Sequence, residues 1–91
     1  MIINLNQTID MMRSEDYRDR FRAEYWQLKI RHDRLRDLLT ATRAAELMGE
    51  MPPPMGSPLS VMREQCRAME QYLNVLKLRA ACENIDLGGT E

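Results

Sequence analysis

Three basic side chains and one aromatic ring share a face of a predicted helix in the first half of the chain. Arg22, Lys29 and Arg36 recur at intervals of seven residues, and Tyr25 lies beside them. Guanidinium and ammonium groups bind phosphate oxygens and an aromatic ring stacks on a base, so this combination suits a nucleotide ligand. The same cations can instead pair with carboxylates such as Asp33, as on an ordinary solvated helix surface. The residues alone leave both interpretations open.

The sequence offers little for catalysis or metal binding. His32 is the single histidine, and the chain has no phosphate-binding loop, dinucleotide-binding, HExxH or CxxC motif. One histidine excludes the familiar multi-histidine metal sites and leaves little for general-base catalysis. Cys66 and Cys82 would lie about 24 Å apart on one helix, too far for a disulfide within the chain. We therefore expect a binding protein that is not an enzyme and needs neither a metal nor a cofactor.

Two long helices are predicted to position these residues. A connector over residues 48–58 divides the chain, because Pro52-Pro53-Pro54 cannot continue a helix. On both sides of it, apolar residues recur every three or four positions, which is the period of a helix that packs on a partner. The pattern predicts helices over about 14–47 and 59–85.

The apolar faces of the two predicted helices match in length. The first face consists of Phe21, Tyr25, Leu28, His32, Leu35 and Leu39. The second face consists of Met62, Cys66, Met69, Leu73, Leu76 and Ala80. Two such faces joined by a proline-rich connector predict an all-α fold, an antiparallel two-helix hairpin over residues 14–87. Residues 88–91 would form a short tail.

Apolar side chains outside these faces predict self-association. On the helices they are Trp26, Ile30, Val61, Ala68, Val75 and Leu78. Residues 1–13 add an apolar N-terminal arm or short helix. One hairpin cannot cover all of this surface, and small chains that are short of core often gain it by forming oligomers. We expect a homo-oligomer with these six residues at its interface, the alternative being that the arm folds back over them within one chain.

Charge and hydropathy limit the expected partners. The formal net charge is −1, whereas domains that bind nucleic acid are usually basic. No apolar run approaches the ~20 residues of a membrane-spanning helix. The N-terminus lacks the basic and continuous apolar regions of a signal peptide. We therefore expect a cytoplasmic protein with neither nucleic acid nor a membrane as its partner.

Part of the second helix resembles a family of small phage proteins. Residues 65–79 follow the pattern Q-x-x-A-M-x-x-Y-L-x-x-L-x-x-R, which is similar to the signature of phage proteins related to a crAss-like-phage protein. The residues that resemble the first helix of this family are Glu24-Tyr25-Trp26-Gln27-Leu28, Arg31, Leu35 and Leu39. In size and architecture the family is similar to the helical-hairpin oligomers with which phages sequester the cyclic nucleotide signals of CBASS and Thoeris defence.

The resemblance implies a phage-encoded anti-defence protein in the host cytoplasm that sequesters a cyclic-nucleotide immune signal without catalysis. The alternative is a protein–protein inhibitor or adaptor that acts on a host defence protein through an apolar helical patch. The expected ligand-binding residues are Arg22, Tyr25, Lys29 and Arg36, and they come from the charge and aromatic pattern rather than from the resemblance. The expected partners are a second copy of the chain, a cyclic nucleotide, or a host defence protein.

Overall fold

The computed structural model describes residues 3–88, so the outer ends of the predicted arm and tail lie outside the described residues. It contains three helices: α1 over Leu5–Met12, α2 over Tyr17–Met48 and α3 over Leu59–Glu83. The regular secondary structure of this part of the chain is entirely helical, and the prediction of an all-α fold is confirmed. None of these helices combines the length and the apolar character that crossing a membrane requires.

α1 is a short, capped helix that packs on α2. The side chain of Asn4 accepts a hydrogen bond from the backbone N–H of Gln7 at 2.9 Å, and Gln7 Oε1 accepts one from the backbone N–H of Asn4 at 2.8 Å. This reciprocal pair satisfies two backbone donors that the first turn leaves free. Thr8 is 1% exposed, and its hydroxyl accepts a hydrogen bond from Gln27 Nε2 on α2 at 3.1 Å. The N-terminal segment is therefore held against its own chain as a short helix.

The start of α2 lies later than predicted because Asp16, rather than Ser14, caps the helix. The Asp16 carboxylate accepts a hydrogen bond from the backbone N–H of Arg18 at 2.9 Å. The Ser14 hydroxyl instead donates to Asp19 at 2.7 Å. At the other end, Gly49 adopts a left-handed conformation with φ of 69°, which stops the helix before the proline-rich connector.

α2 and α3 contact each other in opposite order along the chain. Near the start of α2, the Tyr17 hydroxyl donates to Glu83 at the end of α3, at 2.8 Å. Further along α2, His32 Nε2 lies 3.6 Å from Glu70, which precedes Glu83 on α3. Contacts that advance along one helix while retreating along the other are those of an antiparallel pair.

The core lies where α2, α3 and the C-terminal segment meet. Its buried residues are Phe21, Tyr25, Trp26, Leu73, Leu76, Ala80 and Ile85. Leu76 is fully buried, and burial of one such side chain contributes about 1.5–3 kcal/mol. Toward the connector the packing thins, and Leu47, Met48 and Met51 are exposed.

α3 ends two residues before the predicted end, and the chain then turns back onto α2. Asn84 has a φ of 56°, in the left-handed region that asparagine tolerates better than most residues. The backbone N–H of Ile85 donates to the carbonyl of Ala80 at 2.8 Å, which closes the turn. As a result Ile85 reaches the core and is only 7% exposed.

Candidate functional site

The cations predicted to bind a ligand lie along α2, and each is paired with a carboxylate. Arg22 Nη1 lies 3.0 Å from Asp19 Oδ1, and Lys29 Nζ lies 2.8 Å from Asp33 Oδ2. Arg36 Nη1 lies 3.6 Å from the other oxygen of Asp33. The chain thus contains the carboxylate pairing that the sequence left open as the alternative to ligand binding.

Asp33 is shared by several of these contacts. Burial would raise its pKa, but hydrogen bonds from Lys29 and His32 and the positive charges of Lys29 and Arg36 outweigh burial and hold the pKa of the carboxyl below its usual range. A ligand phosphate would have to compete with this carboxylate for the same cations. Binding of a phosphate by Arg22, Lys29 and Arg36 stays a prediction, and it would require displacing the carboxylates that these cations contact in the single chain.

Tyr25, predicted to stack on a base, is a core residue. Its side chain is 5% exposed and meets Trp26 edge-on, with ring centroids 5.2 Å apart and ring planes at 88°. Burial raises the pKa of the Tyr25 phenol, against the opposing effect of the Lys29 charge. The prediction that Tyr25 presents a stacking surface is wrong for the single chain, because the ring is packed inside the protein.

Trp26, predicted to lie exposed at an oligomer interface, is covered by its own chain. It is 8% exposed, and its indole Nε1 donates to the carbonyl of Leu87 at 2.9 Å. Beside it, Arg22 Nε donates to the carbonyl of Asp86 at 2.5 Å. The expectation of an exposed tryptophan is wrong because the C-terminal segment folds over it, a role the sequence suggested only for the N-terminal arm.

The residues of α3 that were predicted at the interface are exposed. Val61 and Val75 are about half exposed, Leu78 is 67% exposed, and Ala68 is exposed as well. Ile30 on α2 is half-buried. Among the predicted interface residues, the apolar surface that remains for a partner to cover therefore lies on α3 and not around Trp26.

A groove of about 580 Å³ lies between α2 and α3, within the usual volume range of small-molecule sites. Its polar lining residues are Arg20, Glu24, Gln27, Arg31, Gln65 and Tyr72. Its apolar lining residues are Met12, Leu28 and Met69. Met12 is the last residue of α1, so this short helix forms one wall of the groove. The lining offers hydrogen-bond donors and acceptors beside apolar surface, which suits a small polar ligand.

The polar groups of the groove are only partly engaged within the chain. The Tyr72 hydroxyl donates to the carboxylate of Glu24, which links α3 to α2. Arg20 Nη1 donates to the carbonyl of Ser14 at 2.8 Å. Arg31 belongs to no ion pair among the described residues. Its guanidinium is therefore the groove cation with the most donors left for a ligand.

The single histidine and the two cysteines do not assemble into a metal site within the described residues. His32 is buried, with Nδ1 lying 3.2 Å from Asp33 and Nε2 lying 3.6 Å from Glu70. Cys66 and Cys82 are free thiols. Asp33 and Glu70 lie beside the imidazole, and none of the three residues lines the groove.

Comparison with known families places most of this chain in one of them. The family model for Sequestin matches residues 15–82 of the 91 residues. The chain belongs to the Sequestin family. The matched range contains α2, the connector and nearly all of α3, whereas α1 and the C-terminal segment lie outside it. No curated protein and no solved structure matches the chain.

The groove of this Sequestin family member was not among the sites predicted from the sequence. Its lining residues on the two long helices are Arg20, Glu24, Gln27, Leu28, Arg31, Gln65, Met69 and Tyr72. The polar residues on α2, Arg20, Glu24, Gln27 and Arg31, follow intervals of three and four and form a row beside the apolar face. Gln65 and Tyr72 form a second row on α3, whereas Leu28 and Met69 belong to the apolar faces themselves. That signal is the same as the signal of a solvated helix surface. Only the packing of α2 on α3 shows that the two rows face one groove.

Proposed function

We propose that this chain binds a phosphate-bearing nucleotide signal and holds it without changing it chemically. The observation that carries the proposal is the groove between α2 and α3, which offers guanidinium, carboxylate, amide and phenol groups beside apolar side chains. The name of the Sequestin family supports a sequestering role. A sequestering protein acts by mass action, because a stoichiometric binder lowers the free concentration of its ligand.

The non-catalytic part of the proposal rests on the side chains that face the groove. General acid–base catalysis at neutral pH favours a group whose pKa lies near 7, most often a histidine. His32 and both cysteines are not among the residues that line the groove. The carboxylate in the groove, Glu24, already accepts a hydrogen bond from the Tyr72 hydroxyl through one of its oxygens, which suits it to holding a ligand group in place.

The resemblance to small phage proteins extends the proposal to a biological role. In this proposal the chain is phage-encoded and acts in the cytoplasm of the infected cell. Its ligand is a cyclic-nucleotide signal of a defence system such as CBASS or Thoeris. Lowering the free signal below the level that its effector requires would keep the defence inactive.

We further propose that the helical hairpins assemble into a homo-oligomer through α3. The support is the exposed apolar surface formed by Val61, Ala68, Val75 and Leu78. The chain is also elongated, with extents of 50 × 25 × 24 Å, and an elongated small chain has less interior to bury apolar residues. Covering the α3 surface in an oligomer would add to the core that one chain can form.

Calorimetric titration with a panel of cyclic dinucleotides, cyclic trinucleotides and nucleoside diphosphates tests the proposed function. We expect the parent protein to bind at least one of them with a fixed stoichiometry. The double variant Arg22→Ala/Lys29→Ala tests the cationic stripe, and because those cations already have carboxylate partners we expect it to bind almost as the parent does. A parent protein that is folded and binds no member of the panel would overturn the proposal.

The second candidate function is inhibition of a host defence protein through direct contact. The exposure of Val75 and Leu78 favours it, because large apolar side chains at half exposure or more are typical of surfaces that a protein partner covers. A charge at Val75 separates the two functions. Val75→Glu would abolish binding to a protein target but leave nucleotide binding unchanged, because Val75 is exposed and does not line the groove.

A further inference from the structure

We propose that the groove between α2 and α3 recognises a ribonucleotide, with Arg31 binding a phosphate, Glu24 binding ribose hydroxyls and Tyr72 contacting the base. This inference rests on the proposed function and adds the position of the site and the parts of the ligand that it recognises. Each assignment follows from the contacts that the side chain makes within the chain and from the hydrogen-bonding groups or ring surface that remain available to a ligand.

Arg31 is the groove cation best suited to a phosphate. Its side chain is exposed and belongs to no ion pair within residues 3–88. Arg20, at the other end of the α2 row, already uses Nη1 to donate to the carbonyl of Ser14. A guanidinium binds phosphate through two parallel hydrogen bonds, so a guanidinium with all its donors free gives the strongest contact.

Glu24 supplies a hydrogen-bond acceptor in the same groove. It lies seven residues before Arg31 on α2, which corresponds to about 10 Å along the helix axis. Glu24 belongs to no ion pair in the described part of the chain, and one of its two oxygens accepts from Tyr72. A carboxylate repels a phosphate but accepts hydrogen bonds from ribose hydroxyls, as in dinucleotide-binding sites. Arg31 would therefore bind the phosphate of a nucleotide and Glu24 its ribose.

Tyr72 provides an oriented ring beside the carboxylate. It is 45% exposed, and its hydroxyl is held by Glu24 across the helix pair. Met69 and Leu28 add apolar surface to the same groove. Stacking of a base on an aromatic ring is favourable for every base, so it contributes affinity with little sequence preference. The groove should therefore discriminate ribose from deoxyribose more strongly than one base from another.

Calorimetry with matched ligands tests this assignment. The probes are ADP beside its 2′,3′-dideoxy counterpart, and cyclic di-AMP beside its 2′-deoxy counterpart. We expect the parent to bind each ribose form about tenfold or more tightly, because hydrogen bonds to a charged group are lost in the deoxy form. Glu24→Gln should remove most of this preference. Arg31→Ala should weaken binding of every probe by about tenfold or more and leave the preference intact.

Arg34→Ala is the matched control, because Arg34 is also exposed on α2 but does not line the groove. It should bind every probe as the parent does. Equal affinity of the parent for ribose and deoxyribose forms would overturn the role of Glu24 while leaving nucleotide binding in place. An Arg34→Ala variant that loses as much affinity as Arg31→Ala would overturn the phosphate assignment. If the folded parent binds no probe, the proposed function fails together with this inference.

Discussion

The indole Nε1 of Trp26 and the carbonyl oxygen of Leu87 are joined by a hydrogen bond of 2.9 Å, although 61 residues separate them in the chain. This bond fixes the segment after α3 over the face of α2. Ile85, in the same segment, is buried in the core. The element that completes the core therefore lies outside the range 15–82 that defines the family match.

Truncation after Asn84 should destabilise the protein because it removes Ile85 from the core and uncovers Trp26. We expect the free energy of unfolding to fall by about 2–5 kcal/mol, the usual effect of deleting one large buried apolar side chain. Urea denaturation measures the change, and the tryptophan emission of the folded variant should move to longer wavelength. Asp86→Ala is the control, since its exposed side chain lies outside the core and the change keeps both Ile85 and the Leu87 carbonyl that Trp26 contacts, so it should lower stability much less. Unchanged stability and emission in the truncated chain would contradict the role given to this segment.

The oligomer proposal is best tested on α3, because a charge at the buried Trp26 would disrupt the core of the single chain. We expect the parent to sediment as a discrete oligomer at micromolar concentration. The double variant Val75→Glu/Leu78→Glu should sediment as a folded monomer, since both side chains are exposed in the single chain. Lys77→Glu, at an exposed neighbouring position, should leave the oligomer intact. A monomeric parent at this concentration would rule out the proposed assembly.

The ion-pair network around Asp33 should make part of the stability sensitive to acid. The pKa of Asp33 is lowered in the folded chain, so its contribution is fully present above the unfolded-state pKa of about 3.9 and is lost as the pH falls through the lower folded value. Asp33→Asn should lower stability near neutral pH by about 0.5–1 kcal/mol, because the group is partly exposed. It should also flatten the decline of stability in acid.

Thermal unfolding of the parent and of Asp33→Asn between about pH 3 and 7 measures this effect. Asp37→Asn is the matched control, since the side chain of Asp37 is 75% exposed and should contribute little. Parallel stability curves for the parent and Asp33→Asn would show that the network contributes nothing.

The helical content of the chain could be predicted because it depends on local features. Three consecutive prolines interrupt a helix whatever the tertiary structure around them. On each side of them, apolar residues recur with the period of a helix, and these two segments form α2 and α3. The helix ends were harder to predict because neighbouring residues compete as caps. Ser14 and Asp16 are both good capping residues, and the carboxylate of Asp16 is the one that accepts the backbone N–H of Arg18.

The candidate site could not be predicted because it depends on which side chains meet between helices. Arg22 and Arg31 are chemically alike in the sequence, yet Arg22 lies beside Asp19 and under the C-terminal segment, whereas Arg31 lines the groove. The position of Trp26 was also mispredicted, because nothing local indicates that Asn84 turns the chain back onto α2. Apolar periodicity identifies a buried face but does not say which segment covers the residues beside it.

The central claim, that this chain holds a nucleotide without changing it, is tested most directly by native mass spectrometry of the protein incubated with ADP and with cyclic di-AMP. The account predicts complexes whose added mass equals one or more intact nucleotides, and release of the same unaltered nucleotide when the protein is denatured. Arg31→Ala should show far less of the liganded species at the same ligand concentration, and Arg34→Ala should match the parent. Protein that carries no nucleotide under these conditions, or a released nucleotide that has been cleaved, would contradict the account.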